Sequence, residues 1–240
     1  MATTRHEQET DQNTRVWRSK PLLRDVYRHV HDLIDRCIDP SVPGRVVEIG
    51  SGTGNFAEFR DDVVSTDRWV EPWLDVACDA YRLPFGPGRV SHLILVDVFH
   101  HLSAPAAFFE EAGRVMAPRA RVILFEPFIS LISAMAYGLF HPEPIGWKIS
   151  MEDHPSGNYY AAQANATRLL FADTSWLPGW SIERRQAFSA FAYLLSGGFS
   201  WPALYPRRAL PLLLGLDRKL SRFPRVFGAR CLIVLSRNAA

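Results

Sequence analysis

The run Arg45-Val46-Val47-Glu48-Ile49-Gly50-Ser51-Gly52-Thr53-Gly54 constrains the fold more than any other stretch of this sequence. A short β-branched run that stops at glycines reads as a buried strand. The glycines that follow permit positive φ and let backbone N–H groups approach a ligand with no Cβ between them. In an open α/β sheet, ligands bind at the carboxyl ends of the strands. The spacing excludes two phosphate-binding loops. A dinucleotide fingerprint needs glycine at position 55, which is Asn55, and a P-loop needs Gly-Lys-Ser/Thr, with no lysine in the run. Glu48 points the same way: a carboxylate ahead of the loop suits a ligand with a cationic part better than a pyrophosphate.

The flanking pattern alternates strands and helices. Leu22, Leu23, Val26, Tyr27, Val30, Leu33, Ile34, Cys37 and Ile38 recur at helical spacing behind Pro21. A short helix is expected from Asn55, then strands at Val63–Asp67, Leu74–Asp79 and Val90–Asp97. Ser103 is expected to cap a helix carrying Pro105, Phe108, Phe109, Ala112, Val115 and Met116, ended by Pro118. Strand Arg121–Glu126, a helix over 129–140 and late strands at Ser181–Phe188 and Cys231–Ser236 complete the pattern. Alternation of this kind implies a parallel sheet with helices on both faces.

Composition narrows the class. Of 240 residues, 48% are hydrophobic and 22% charged, with net charge +2, so no global charge addresses nucleic acid. Three scattered cysteines, Cys37, Cys78 and Cys231, suggest neither a disulfide framework nor zinc, and no metal site is expected. The start is polar, without a signal peptide's apolar core, and the apolar stretch 125–140 is interrupted by Glu126 and Pro127. The expectation is a cytoplasmic protein.

Four acids stand at or near successive strand ends: Glu48, Asp67, Asp79 and Asp97. A carboxylate at Asp67 can accept both hydroxyls of a ribose, and one at Asp79 can accept from an exocyclic amine. With these residues in place, the chain resembles a known family. Glu48-x-Gly50-x-Gly52-x-Gly54 resembles the first motif of class I S-adenosylmethionine-dependent methyltransferases. Asp79-Ala80-x-x-Leu83-Pro84-Phe85, Val96-Asp97-Val98-Phe99-His100-His101-Leu102 and Arg114-x-Met116-x-Pro118 resemble segments of the small-molecule branch termed type 11. Arg119 and Ala120 stand where that branch carries two glycines.

The resemblance covers residues 44–128 and implies an α/β, Rossmann-like doubly wound sheet of seven strands, the last antiparallel. It implies S-adenosyl-L-methionine as cofactor. Glu48 and Gly50, Ser51, Gly52 and Gly54 would hold the methionine end, Asp67 the ribose and Asp79 with Ala80 the adenine. Asp97 and Phe99 would lie beside the sulfonium. The expected organisation is a disordered leader (1–14) and a single domain (15–240), made of an N-terminal helix (15–40), the cofactor core (44–128) and helical insertions after strands 5 and 6 (129–180 and 189–230).

The expected reaction is biosynthetic methyl transfer to a small-molecule acceptor at oxygen. A hydroxyl acceptor benefits from a base, and histidine titrates near neutrality. His100 and His101 follow the fourth strand, and Glu126 ends the fifth; these are the candidate catalytic groups, with packing or capping as the alternative. His141, His154, Asn158 and Tyr159 of the first insertion are candidate acceptor-binding residues. Residues 181–240 hold ten Lys/Arg against two Asp/Glu, with Phe199, Trp201, Tyr205, Phe223 and Phe227 among them. Two roles stay open for 189–230: a lid, or a peripheral membrane contact reaching a lipid-linked or anionic acceptor. A third alternative is a cofactor-binding scaffold without catalysis.

Overall fold

In the computed structural model, residues 5–140, 143–152, 154–155, 160–172 and 174–238 are described. One seven-stranded sheet organises them: β1 (Arg45–Ile49), β2 (Val63–Asp67), β3 (Val76–Ala77), β4 (Val90–Val96), β5 (Met116–Pro127), β6 (Trp180–Phe188) and β7 (Arg230–Arg237). The strand order is β3-β2-β1-β4-β5-β7-β6. Strands β1 to β5 pair in parallel, and β7 runs antiparallel to both β5 and β6. The expected sheet is therefore present.

Both faces of this sheet are buried, which follows from the two-residue repeat of a strand. Val47, Ile49, Leu93, Leu95, Val122, Leu124, Ile233 and Leu235 enter one core. Their neighbours Val46, Ile94, Ile123, Phe125, Leu232 and Val234 enter the other. Helix α3 (Pro105–Val115) covers the first face with Phe108, Phe109 and Ala112. Helix α2 (Pro21–Asp35), whose Pro21 suits a first turn, contributes Ile34 to the second.

Several local expectations change. The segment expected as a disordered leader is helical from residue 5: α1 spans Arg5–Ser19. Its sequence lacks apolar periodicity, but Trp17 anchors it, edge-on to Tyr27 at 5.6 Å and donating from Nε1 to Glu58 at 2.9 Å. No regular helix follows Asn55. Residues 52–59 form successive turns, because the crossover from Gly50 to Asp62 is close to the minimum for joining parallel strands. Strand β3 shrinks to two residues, since Asp75 takes the Ser65 N–H with its carboxylate at 2.8 Å. Ser103 is not the cap of α3: Ala104 occupies that position, and the Ser103 hydroxyl donates to Glu152 at 2.7 Å.

The remaining elements sit after β5 and around β7: α4 (Leu131–Phe140), a π-helical turn (Ala166–Leu170), α5 (Phe191–Leu195), α6 (Leu210–Leu220) and α7 (Pro224–Phe227). Among the described residues, no helix is long and apolar enough to cross a membrane.

Candidate active site

The glycine loop leaves β1 at the carboxyl edge of the sheet with three left-handed residues: Gly50 (φ 70°), Gly52 (φ 51°) and Gly54 (φ 74°). They differ in what surrounds them. A Cβ on Gly50 would sit 2.5 Å from Val98 Cγ2, and one on Gly54 would sit 2.9 Å from the Trp73 ring, whereas one on Gly52 would meet open space. The loop thus packs tightly at its two ends and is open in its middle. Ser51 pins it to β2, donating from its backbone to Thr66 O at 2.8 Å and accepting from Thr66 N at 3.1 Å.

Glu48 is buried beneath the loop, and its Oε2 has no hydrogen-bond partner among the described residues. Burial, opposed by the Ser51 hydroxyl and reinforced by the Asp67 charge, pushes its pKa up to about 8. A buried carboxylate with one oxygen unpartnered among the described residues, beside an open glycine, fits a ligand bearing an ammonium group. Asp67, at the end of β2, accepts from Gly52 N at 3.0 Å and from Trp69 N at 3.3 Å, so it lies against the same loop. Trp73 also belongs here, since its Nε1 donates to Gly52 O at 2.9 Å. Asp79 and Ala80 follow β3; Asp79 is exposed and accepts from Tyr81 N at 3.0 Å.

Asp97 directly follows β4 in the left-handed region at φ 58°, unusual for a residue with a side chain. Its carboxylate is committed to the buried guanidinium of Arg230, which stacks over Tyr193 at 4.6 Å. Phe99 departs from expectation more sharply. Its ring is fully buried in the core, 6.4 Å from Phe109, so it does not present its side chain toward a ligand.

The turn Phe99–His101 carries the titratable groups. The Glu126 carboxylate, fully buried, accepts from Val98 N at 2.8 Å, Phe99 N at 2.7 Å, His100 N at 3.4 Å and His100 Nδ1 at 2.7 Å. Four donors leave it no role as a proton acceptor; it holds the turn and orients His100. Burial lowers the pKa of His100, but the Glu126 charge and hydrogen bond outweigh that and push it up to about 9. His101 goes the other way, lowered by burial and by the His100 charge. Its Nδ1 faces the Tyr160 carbonyl at 3.1 Å, so that nitrogen carries the hydrogen and Nε2 the lone pair.

The segment after α4 folds over this turn. Ala162 N donates to His100 O at 2.9 Å, and Glu152 N donates to Ser103 O at 2.7 Å. It delivers Glu143, 3.6 Å from His100 Nε2 and 3.7 Å from His101 Nε2. Gln163 donates to Glu143 in turn. Of the expected acceptor-binding residues, His154 is exposed, and His141, Asn158 and Tyr159 lie outside the described residues. Glu143, Gln163, Trp73 and Arg230 escaped the sequence analysis. The first two sit in a proline-rich stretch without periodicity. Only the loop geometry could have suggested Trp73.

A seven-stranded sheet with β7 reversed, a glycine loop after β1 over a buried acid, and acids at the following strand ends define a class I S-adenosylmethionine-dependent methyltransferase. The sequence agrees: the profile of the methyltransferase-domain family matches residues 22–173, and the chain belongs to that family. S-adenosylmethionine is its cofactor. No curated protein matches the sequence. Solved structures share the fold. A possible histamine N-methyltransferase from Thermotoga maritima aligns at TM-score 0.53 and 14% identity, over 95% of this chain and 99% of its own. An S-adenosylmethionine-dependent methyltransferase from Archaeoglobus fulgidus aligns at 0.53 and 13%, over 90% and 94%. The [4+2]-cyclase SpnF aligns at 0.51 and 13%, over 100% and 98%. At such identities the likeness concerns fold alone, and the acceptor must be argued from the site.

Proposed function

We propose that this enzyme methylates an oxygen of a small-molecule acceptor that binds over His100, His101 and Glu143. When bound, the cofactor supplies a methyl group on a sulfonium, which an acceptor oxygen attacks in line. Glu48 and the glycine loop, which leaves space beside Gly52, would hold its methionine end, with Asp67 at the ribose and Asp79 with Ala80 at the adenine. Asp97 is engaged by Arg230, so its part is to fix the exit of β4.

The observation that carries the reading is the division of labour between two adjacent histidines. His100 is held as a cation by Glu126, while His101 stays neutral with its lone pair at Nε2. A neutral imidazole of this kind can take the hydroxyl proton as the oxygen–carbon bond forms. Glu143, Glu152 and residues 160–165 close over His100, which is buried, while His101 stays partly exposed to meet an acceptor; a bound acceptor would complete the desolvation that favours displacement.

The test is turnover against a panel of hydroxylated and aminated small molecules, with cofactor affinity measured in parallel. His101→Ala should lower kcat by about 10²–10⁴ and leave S-adenosylhomocysteine affinity within about twofold. Methylation of amines alone, or full activity in His101→Ala, would reject the reading.

A specific surface supports a second reading, a peripheral membrane enzyme. Trp201 (62% exposed), Leu204 (77%), Leu212 (73%) and Phe223 (62%) stand out from a segment rich in arginine. Apolar side chains among cations suit an anionic lipid surface. Co-sedimentation with phosphatidylserine vesicles tests it, and no binding at low salt would end it.

A further inference from the structure

We propose that His100 Nε2, His101 Nε2 and the Glu143 carboxylate form a binding site for one divalent transition-metal ion, with a coordination position left open toward the acceptor. The role toward the acceptor rests on the function proposed above; the ion site itself does not.

Geometry is the first argument. Ligand atoms bound tetrahedrally at about 2.0–2.2 Å lie roughly 3.4 Å from one another. Glu143 Oε2 is 3.6 Å from His100 Nε2, and Glu143 Oε1 is 3.7 Å from His101 Nε2. All three donor groups have ligand atoms within 4.8 Å of each other. Two imidazoles and a carboxylate suit zinc, cobalt or iron(II), and three protein ligands leave a fourth position open.

The second argument lies behind the ligands. Metal-bound histidines characteristically donate their other ring N–H to a carboxylate or a backbone carbonyl, which fixes the tautomer and makes the ligating nitrogen a stronger donor. Both arrangements occur here: His100 Nδ1 on Glu126 at 2.7 Å and His101 Nδ1 on Tyr160 O at 3.1 Å. Each leaves Nε2 as the nitrogen directed at Glu143. Gln163 donates to Glu143, and its own Oε1 is buried without a partner among the described residues. A water or hydroxyl on an ion would supply the missing donor.

Charge is the third. Glu126 and Glu143 bring two negative charges to two histidines; a divalent ion that displaces the His100 Nε2 proton to solvent sits on two neutral imidazoles and balances both carboxylates. The neighbouring set Asp97, His100 and Glu126 is a poorer candidate. Glu126 is filled by four N–H donors, and Asp97 is bound to Arg230. With an ion in place, both histidine lone pairs are used as ligands, and the ion, by lowering the pKa of a bound hydroxyl, takes over the activation that His101 provides without it.

The experiment is a titration of chelator-treated, untagged protein with Co²⁺, followed by visible absorption, and with Zn²⁺ by calorimetry. S-adenosylhomocysteine binding is measured on the same samples. The expected result is one equivalent of ion, the intense absorption of tetrahedral Co²⁺ and its displacement by Zn²⁺. His101→Ala and Glu143→Gln should each weaken binding by at least about 100-fold while retaining S-adenosylhomocysteine affinity. Both side chains are partly exposed, so the variants should fold. Absence of stoichiometric binding, or unchanged affinity in both variants, overturns the site. Loss of S-adenosylhomocysteine binding in the parent protein would instead reject the cofactor assignment, leaving the ion titration to stand by itself.

Discussion

His100 Nδ1 lies 2.7 Å from a Glu126 carboxylate oxygen, inside the sheet's carboxyl edge and closed off from solvent on both sides. The pair joins the end of β5 to the turn after β4, so a single carboxylate sets the backbone of residues 98–100 and the orientation of the imidazole. A pH signature follows. The folded-state pKa of His100 is raised to about 9, above the 6.5 of the unfolded chain. Its contribution to stability is present in full below about pH 6.5 and is lost as pH rises through about 9. Urea unfolding across this window should show stability falling, and the decline should flatten in His100→Asn.

Glu126→Gln tests the same pair differently. The amide would place N–H groups against backbone donors that now share a carboxylate, costing about 2–4 kcal/mol. Denaturant midpoints measure this directly, and a variant within about 0.5 kcal/mol of the parent would show that the carboxylate does not hold the turn.

Glu48 predicts a proton released on cofactor binding. With a pKa near 8, it is mostly protonated at pH 7 in the cofactor-free chain. An ammonium group beside Oε2 favours the ionised form and lowers that pKa. Calorimetry at pH 7 in buffers of different ionisation enthalpy should report release approaching one proton, vanishing in Glu48→Gln. That variant should bind the cofactor about 10–100-fold more weakly, consistent with loss of one buried charge-assisted contact.

Two of the loop glycines, Gly50 and Gly52, should separate stability from binding. Gly50→Ala meets Val98 in a left-handed conformation and should cost about 2–4 kcal/mol. Gly52→Ala shares the unfavourable φ but has space, so about 1 kcal/mol is expected. Its cofactor affinity should nonetheless fall at least about tenfold, because the methyl group occupies the open middle of the loop. Thermal unfolding and S-adenosylhomocysteine titration of both variants decide it; equal effects on stability would contradict the packing described.

Arg119 holds a glycine-like conformation, φ 65°, at a position where the branch that the sequence resembles would carry glycine. Its side chain is 72% exposed and reaches Asp39 at only 3.4 Å, a pairing of small value. Arg119→Gly removes a left-handed penalty of about 1–2 kcal/mol against the greater chain entropy of unfolded glycine. The net expectation is a gain of about 0.5 kcal/mol in the denaturant midpoint, with cofactor binding unchanged.

Periodicity and turn chemistry act locally, and they determined much of this protein. The β-branched run before Gly50 and the apolar blocks at 90–97 and 121–126 specify buried parallel strands, because a strand covered on both faces must be apolar on both. The glycine spacing with Glu48 and the acids at Asp67, Asp79 and Asp97 specified the cofactor class, because those residues lie at strand ends wherever the strands pair. Tertiary structure decided what depends on distant segments meeting. It placed Glu143 against His100 and His101 across a loop with no pattern of its own. It turned Glu126 from a candidate base into a saturated anchor, bound Asp97 to Arg230 and buried Phe99 in the core. It also extended helix α1 through a polar segment, since Trp17 finds Tyr27 and Glu58 only in the folded chain. Carboxylates and imidazoles carry no fixed role in sequence; their partners and burial assign protonation and chemistry, and those are properties of the assembled fold.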